Sequence, residues 1–121
     1  MDEPLNLVLF SGTDDKLQAA AVLAAGAAAL GKPVNIFLQY WALDAFRADR
    51  IGLDHGLAPE AGPDGRAAVA ALARAGQVAW SETIRQAKDL GSVDIQGAPC
   101  RWTSSISNRA ISTRWSMGWR A

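Results

Sequence analysis

A single cysteine, Cys100, and a single histidine, His55, stand in a chain of 121 residues. One cysteine excludes an internal disulfide framework and any multi-cysteine metal site. One histidine argues against zinc. There is no surplus of charge either: twelve basic side chains balance twelve acidic ones. No overall field therefore draws the chain to nucleic acid or to a membrane, and neither is expected as a partner. The apolar stretch at 17–30 has polar breaks and is too short and alanine-rich to read as a membrane span. Met1-Asp2-Glu3-Pro4 lacks the basic start of a signal peptide, so a cytoplasmic protein is expected. There is no Gly-x-Gly-x-x-Gly and no Walker pattern, which leaves a nucleotide site weakly supported, and no cofactor is expected. Acids are missing from one region altogether. Residues 97–121 hold four arginines, no lysine and no acid, together with three of the five tryptophans. The body is thus acidic and the tail basic.

What is present is a core-forming composition: half of the residues are apolar and a fifth are charged, as in a globular domain. The clearest organisation lies in residues 5–38. Leu5-Asn6-Leu7-Val8-Leu9-Phe10 reads as a strand, apolar on both faces like a central strand covered on both sides. Ser11-Gly12-Thr13-Asp14 is a sharp turn, and 15–30 a helix with Asp14 and Asp15 in its first turn, where the helix dipole favours acids. Ser11 or Thr13 can cap that helix. Its alanine-rich body is apolar nearly all round, which predicts burial on more than one side, the second side against another subunit. Gly31 and Pro33 end it, and Val34-Asn35-Ile36-Phe37-Leu38 is the next strand. This βαβ unit implies a parallel pair with a right-handed crossover. In such sheets sites form beyond the carboxyl ends of the strands, so the residues after Phe10 and Leu38 are the first candidates.

After Leu38, residues 39–46 read as a short helix in which Tyr40, Trp41, Leu43 and Phe46 form an aromatic and apolar wall. Core packing is the leading reading of that wall, and the lining of a pocket the other. Residues 47–65 are a polar loop rich in glycine and proline that carries His55. A lone loop histidine is ordinarily just solvated, and no partner constellation accompanies this one. Short helices are expected at 67–75 and 77–90, the latter burying Val78, Ile84, Ala87 and Leu90, and a strand at 93–96.

These residues resemble the DsrE/DsrF-like family, particularly its peroxiredoxin-like branch. That branch reads as a strand, then Ser-Gly-x-x-Asp-Lys, an alanine-rich helix ending near Ala-Ala-x-Gly-Lys, and a strand running into Phe-x-x-[Phe/Tyr]-Trp-[Gly/Ala]-Leu. Here the matching residues are Ser11-Gly12-Thr13-Asp14-Asp15-Lys16, then Ala28-Ala29-Leu30-Gly31-Lys32, then Phe37-Leu38-Gln39-Tyr40-Trp41-Ala42-Leu43. The resemblance covers residues 4–96, strongly as far as 46. It implies a three-layer α/β/α sandwich with a mostly parallel sheet, and homo-oligomers, often trimers or hexamers. It also implies sulfur carried as a cysteine persulfide between donor and acceptor proteins. The family's cysteine follows the strand matching 93–96, in a segment like Ala-Cys-x-Met-x-Met-Asp.

The tail departs from that pattern, so the chain divides into a DsrE-like domain at 1–96 and an atypical segment at 97–121. Cys100 comes about two residues late, and the residues after it have no helical period and no acid. We read the tail as the product of a shifted reading frame. Codons that straddle successive residues must encode Asp at Trp102-Thr103 and Gly at Met117-Gly118. With GC-rich codons, the junctions from Gly97-Ala98 onward can encode Cys-Pro-Met-Pro-Leu-Asp, and the forced Asp falls where the family has Asp.

For chemistry, Cys100 is the one candidate sulfur carrier, with Arg101 beside it as a source of positive charge. A peroxidase role needs a second thiol, and the chain has none. Candidate binding residues are Ser11, Gly12, Thr13 and Lys16 at the turn, and Tyr40 and Trp41 beyond the second strand. The turn at a helix N-terminus can hold an anion through backbone N–H groups, or simply cap the helix. The leading expectation is a sulfur-relay protein of sulfurtransferase-carrier type. The alternative is a non-catalytic oligomeric module that binds a small ligand or a partner.

Overall fold

The computed structural model describes residues 3–47 and 49–97. Its elements come in the order β1 (Leu5–Leu9), α1 (Asp14–Ala29), β2 (Val34–Leu38), α2 (Tyr40–Ala45), a 3-10 turn (Pro59–Ala61), α3 (Gly65–Arg74), α4 (Trp80–Leu90) and β3 (Val93–Gly97). The sheet is parallel in the order β1-β2-β3, with Leu5 opposite Val34 and Val34 opposite Val93. The fold is α/β, built from two parallel crossovers that place α1 and α4 over the same face.

Alternation along the strands decides which face that is. Leu5, Leu7 and Leu9 of β1, Val34, Ile36 and Leu38 of β2, and Val93 and Ile95 of β3 point into one core. There they meet Leu17, Ala21, Ala24 and Ala28 of α1 and Trp80, Ile84 and Ala87 of α4. The alanines of α1 let α4 approach closely: a Cβ on Gly91, just past α4, would lie 3.2 Å from the carbonyl oxygen of Ala28. The opposite face carries Asn6, Val8, Asn35, Phe37, Asp94 and Gln96, and Asn35 donates across the strands to Asn6 at 2.9 Å. Any third, helical layer over that face is a matter for residues 98–121, outside the described residues, as is the tail read as frame-shifted.

Two helices end in the same device. Gly31 comes after α1 at φ 78° and Gly76 after α3 at φ 104°. Lys32 N–H reaches the Ala27 carbonyl and Gln77 N–H reaches that of Leu72, both at 3.0 Å. These are the long-range bonds of Schellman caps, which need a left-handed residue in between.

Three expectations are corrected. Among the described residues β1 is not central: β2 is, and Val8 on β1 is 52% exposed. Within those residues the hydrophobic run of β1 serves one covered face and one open one. The helix expected at 77–90 starts at Trp80, because Ala79 is extended at the N-cap. Val78 thus precedes the helix and Leu90 points outward; Trp80, Ile84 and Ala87 form the buried side. Finally, Thr13 occupies the N-cap position of α1 with extended backbone but makes no side-chain capping bond. Ser11 Oγ instead receives the N–H of Thr13 at 3.3 Å.

Candidate functional site at the carboxyl edge of the sheet

Chain leaving β1 and chain leaving β2 are tied together immediately beyond the strands. Gln39 N–H donates to the Leu9 carbonyl at 2.9 Å, and Ala42 N–H to that of Phe10 at 3.2 Å. Gly12 is required by the close approach this creates: a Cβ there would stand 2.4 Å from the carbonyl oxygen of Trp41. Ser11 and Thr13 share a hydroxyl–hydroxyl bond of 3.0 Å across the glycine. The turn therefore rests on the first residues of α2, and the two sequence candidates, 11–13 and 40–41, are one surface.

Tyr40 holds a left-handed backbone, φ 49°, uncommon for a residue with a side chain. Its ring stacks on Phe10, with centroids 6.4 Å apart. The aromatic wall divides in two. Leu43 and Phe46 are core, whereas Tyr40 and Trp41 are exposed, Trp41 by 64%. Lys16 lies one turn into α1 and pairs with Glu60 of the 3-10 turn at 3.5 Å. Cys100 lies outside the described residues.

The same turn begins a partly buried polar network that the sequence did not disclose. Asp14 accepts the indole N–H of Trp80 at 3.0 Å on one oxygen and the N–H of His55 at 3.1 Å on the other. Asp15 accepts the N–H of Ala58 at 3.2 Å. The N–H of Asp14 itself goes to the Gly56 carbonyl at 2.9 Å. The acids of the first turn thus do more than meet the dipole: they fasten the 54–58 loop and the start of α4 to α1. Burial works to raise the pKa of Asp15. Hydrogen bonds from the Thr13 hydroxyl and from the N–H groups of Ala58, Lys16 and Asp15 itself outweigh it, holding the carboxyl below its ordinary range. His55 packs its ring against Trp80 at 6.1 Å and keeps Nε2 buried. The N–H groups of Thr13 and Asp14 are already taken, so an anion at this turn has to displace the acceptors that hold them.

Among the described residues no group of three His, Cys, Asp or Glu side chains could hold a metal ion, and no helix is long and apolar enough to cross a membrane.

Residues 1–59 match the DsrE/DsrF/DrsH-like family. Over 45 residues the chain is 44% identical to the uncharacterized protein YrkE of Bacillus subtilis (strain 168), a stretch that is 37% of this chain and 28% of that protein. The family match takes in β1, the Ser11–Thr13 turn, α1, β2, α2 and the loop that Asp14 and Asp15 hold. Over residues 1–59, just under half of its length, this chain is similar to the DsrE/DsrF/DrsH-like family.

Proposed function

We propose that the chain is a sulfur-relay protein that carries sulfur as a persulfide on Cys100. The observation that supports this most is the end of β3. Gly97 lies opposite Leu38, so the chain leaves the sheet at the edge where Ser11–Thr13 and Tyr40-Trp41 stand. Cys100 is three residues further on, and three residues span at most about 11 Å. The proposal is that this cysteine works beside that surface. The family match over residues 1–59 supports the class of chemistry.

The step is balanced without an outside oxidant. The Cys100 thiolate attacks the outer sulfur of a donor persulfide; the donor S–S bond breaks and the donor leaves as a thiolate. A new S–S bond forms on Cys100, and an acceptor thiolate later takes the outer sulfur in the same way. Arg101, next in sequence, is the proposed source of positive charge that favours the thiolate. The exposed pair Tyr40 and Trp41, with Phe10, gives an apolar surface on which a protein partner or a second copy of this chain can seat.

Intact mass before and after incubation with a persulfide donor tests the proposal. Wild type should gain the mass of one sulfur, reversibly on reduction, and Cys100→Ala should gain nothing. A folded wild type that gains no sulfur contradicts the proposal and favours a non-catalytic binding module.

A further inference from the structure

A concavity lies on the helical side of the sheet. It is a cavity of about 420 Å³ between the start of α1, the 51–57 loop, α3 and the start of α4, within the usual range of small-molecule sites. Ile51, Leu57, Val69, Leu72 and Trp80 give it apolar walls. Asp14 and Asp15 line it too, and among the described residues no lysine, arginine or histidine does.

Among the described residues no cation pairs directly with that charge. The neighbouring cations are committed elsewhere: Lys16 to Glu60, Arg66 to Asp54, Arg47 to Asp44 and Asp49, and Arg50 to Asp44. Among the described residues Asp14 and Asp15 receive backbone N–H groups, the Thr13 hydroxyl and the Trp80 indole, and Asp14 also meets the side chain of Asp54, itself paired with Arg66; no cation touches either directly. The positive end of α1 supplies roughly half a unit charge against two carboxylates. Each carboxylate oxygen can accept more than one hydrogen bond, so the loop contacts do not exhaust them. An anion is repelled here, and a neutral apolar molecule leaves the carboxylates facing a desolvated wall at a cost.

We propose that this cavity binds a small organic cation, an apolar body carrying an ammonium or amidinium group, with the cationic end at Asp14 and Asp15 and the body against Ile51, Leu57, Val69 and Leu72. The site is independent of Cys100, so it stands or falls apart from sulfur transfer.

Calorimetric titration of the full chain with n-hexylammonium, hexanol and hexanoate tests it. Hexylammonium should bind saturably at one site, with hexanol about tenfold weaker or worse and hexanoate silent. Asp15→Asn should weaken hexylammonium by about tenfold. Because Asp15 also holds the loop, a second variant avoids that network: Leu72→Lys, at a half-exposed position of α3, puts a cation in the wall and should abolish binding with an unchanged circular dichroism spectrum. The absence of saturable hexylammonium binding to the folded wild type overturns the proposal. So does equal affinity for hexanol, or undiminished binding by a folded Leu72→Lys.

Discussion

At the scale of single residues, two positions carry the edge of the sheet. Gly12 is fixed by space rather than by backbone freedom, since any side chain there meets the Trp41 carbonyl. Gly12→Ala should lower stability by about 1–3 kcal/mol, read as an earlier urea midpoint at constant slope. Asp15 carries a pH dependence. Its carboxyl titrates lower in the folded chain than in the unfolded one, so its contribution is present above the unfolded value, about pH 4, and is lost as pH falls through the folded value. Urea unfolding between neutral pH and pH 3 should therefore show a shallower acid decline in Asp15→Asn than in wild type. An equally steep decline contradicts the network. The sequence placed Asp14 and Asp15 correctly in the first helical turn but could not reveal their partners. Trp80 meets Asp14 across 66 residues of chain, and no local pattern encodes such a contact. The exposed half of the aromatic wall, Tyr40 and Trp41, was likewise indistinguishable from the buried half, because spacing tells which residues share a face and not what covers it.

At the scale of elements, the order and type of the βαβ elements were legible, since their signals are local: two short apolar runs, acids at the helix start, glycine and proline at its end. Two features were not. The rank of β1 in the sheet depends on which strands pair beside it, and a hydrophobic strand reads the same at an edge. The start of α4 depends on Trp80 being drawn into the core beside Phe46, with ring centroids 5.0 Å apart. α3 is the least anchored element, with Gly65 its one buried residue. Its amides should exchange with deuterium well before those of α1 and β2, whose buried residues join one core. Protection of α3 equal to that of α1 would show that the cavity is closed in solution by something packed against α3.

At the scale of the whole molecule, the acidic body and the acid-free segment 97–121 set two readings of Cys100 side by side. If the coding sequence, read in the straddling frame from the Gly97-Ala98 junction, spells an apolar helix with an acid at its start, the tail is a frame-shifted product and the family's cysteine belongs to the other frame. A straddling frame without that pattern rejects the idea. The open sheet face with Val8, and the exposed Val22 and Leu23 of α1, are apolar surface that a second copy of the chain can cover. Sedimentation should find an oligomer that persists on dilution to micromolar concentration, and a monomer at every concentration would contradict that assignment. The central claim, sulfur held in transferable form on Cys100, is tested most directly by cyanolysis. The chain is loaded with a persulfide donor, freed of excess donor and treated with cyanide, which removes an outer persulfide sulfur as thiocyanate. The account predicts one thiocyanate per chain from wild type and none above background from Cys100→Ala. Equal yields from the two, or none from a folded wild type whose Cys100 still reacts with an alkylating agent, would contradict it.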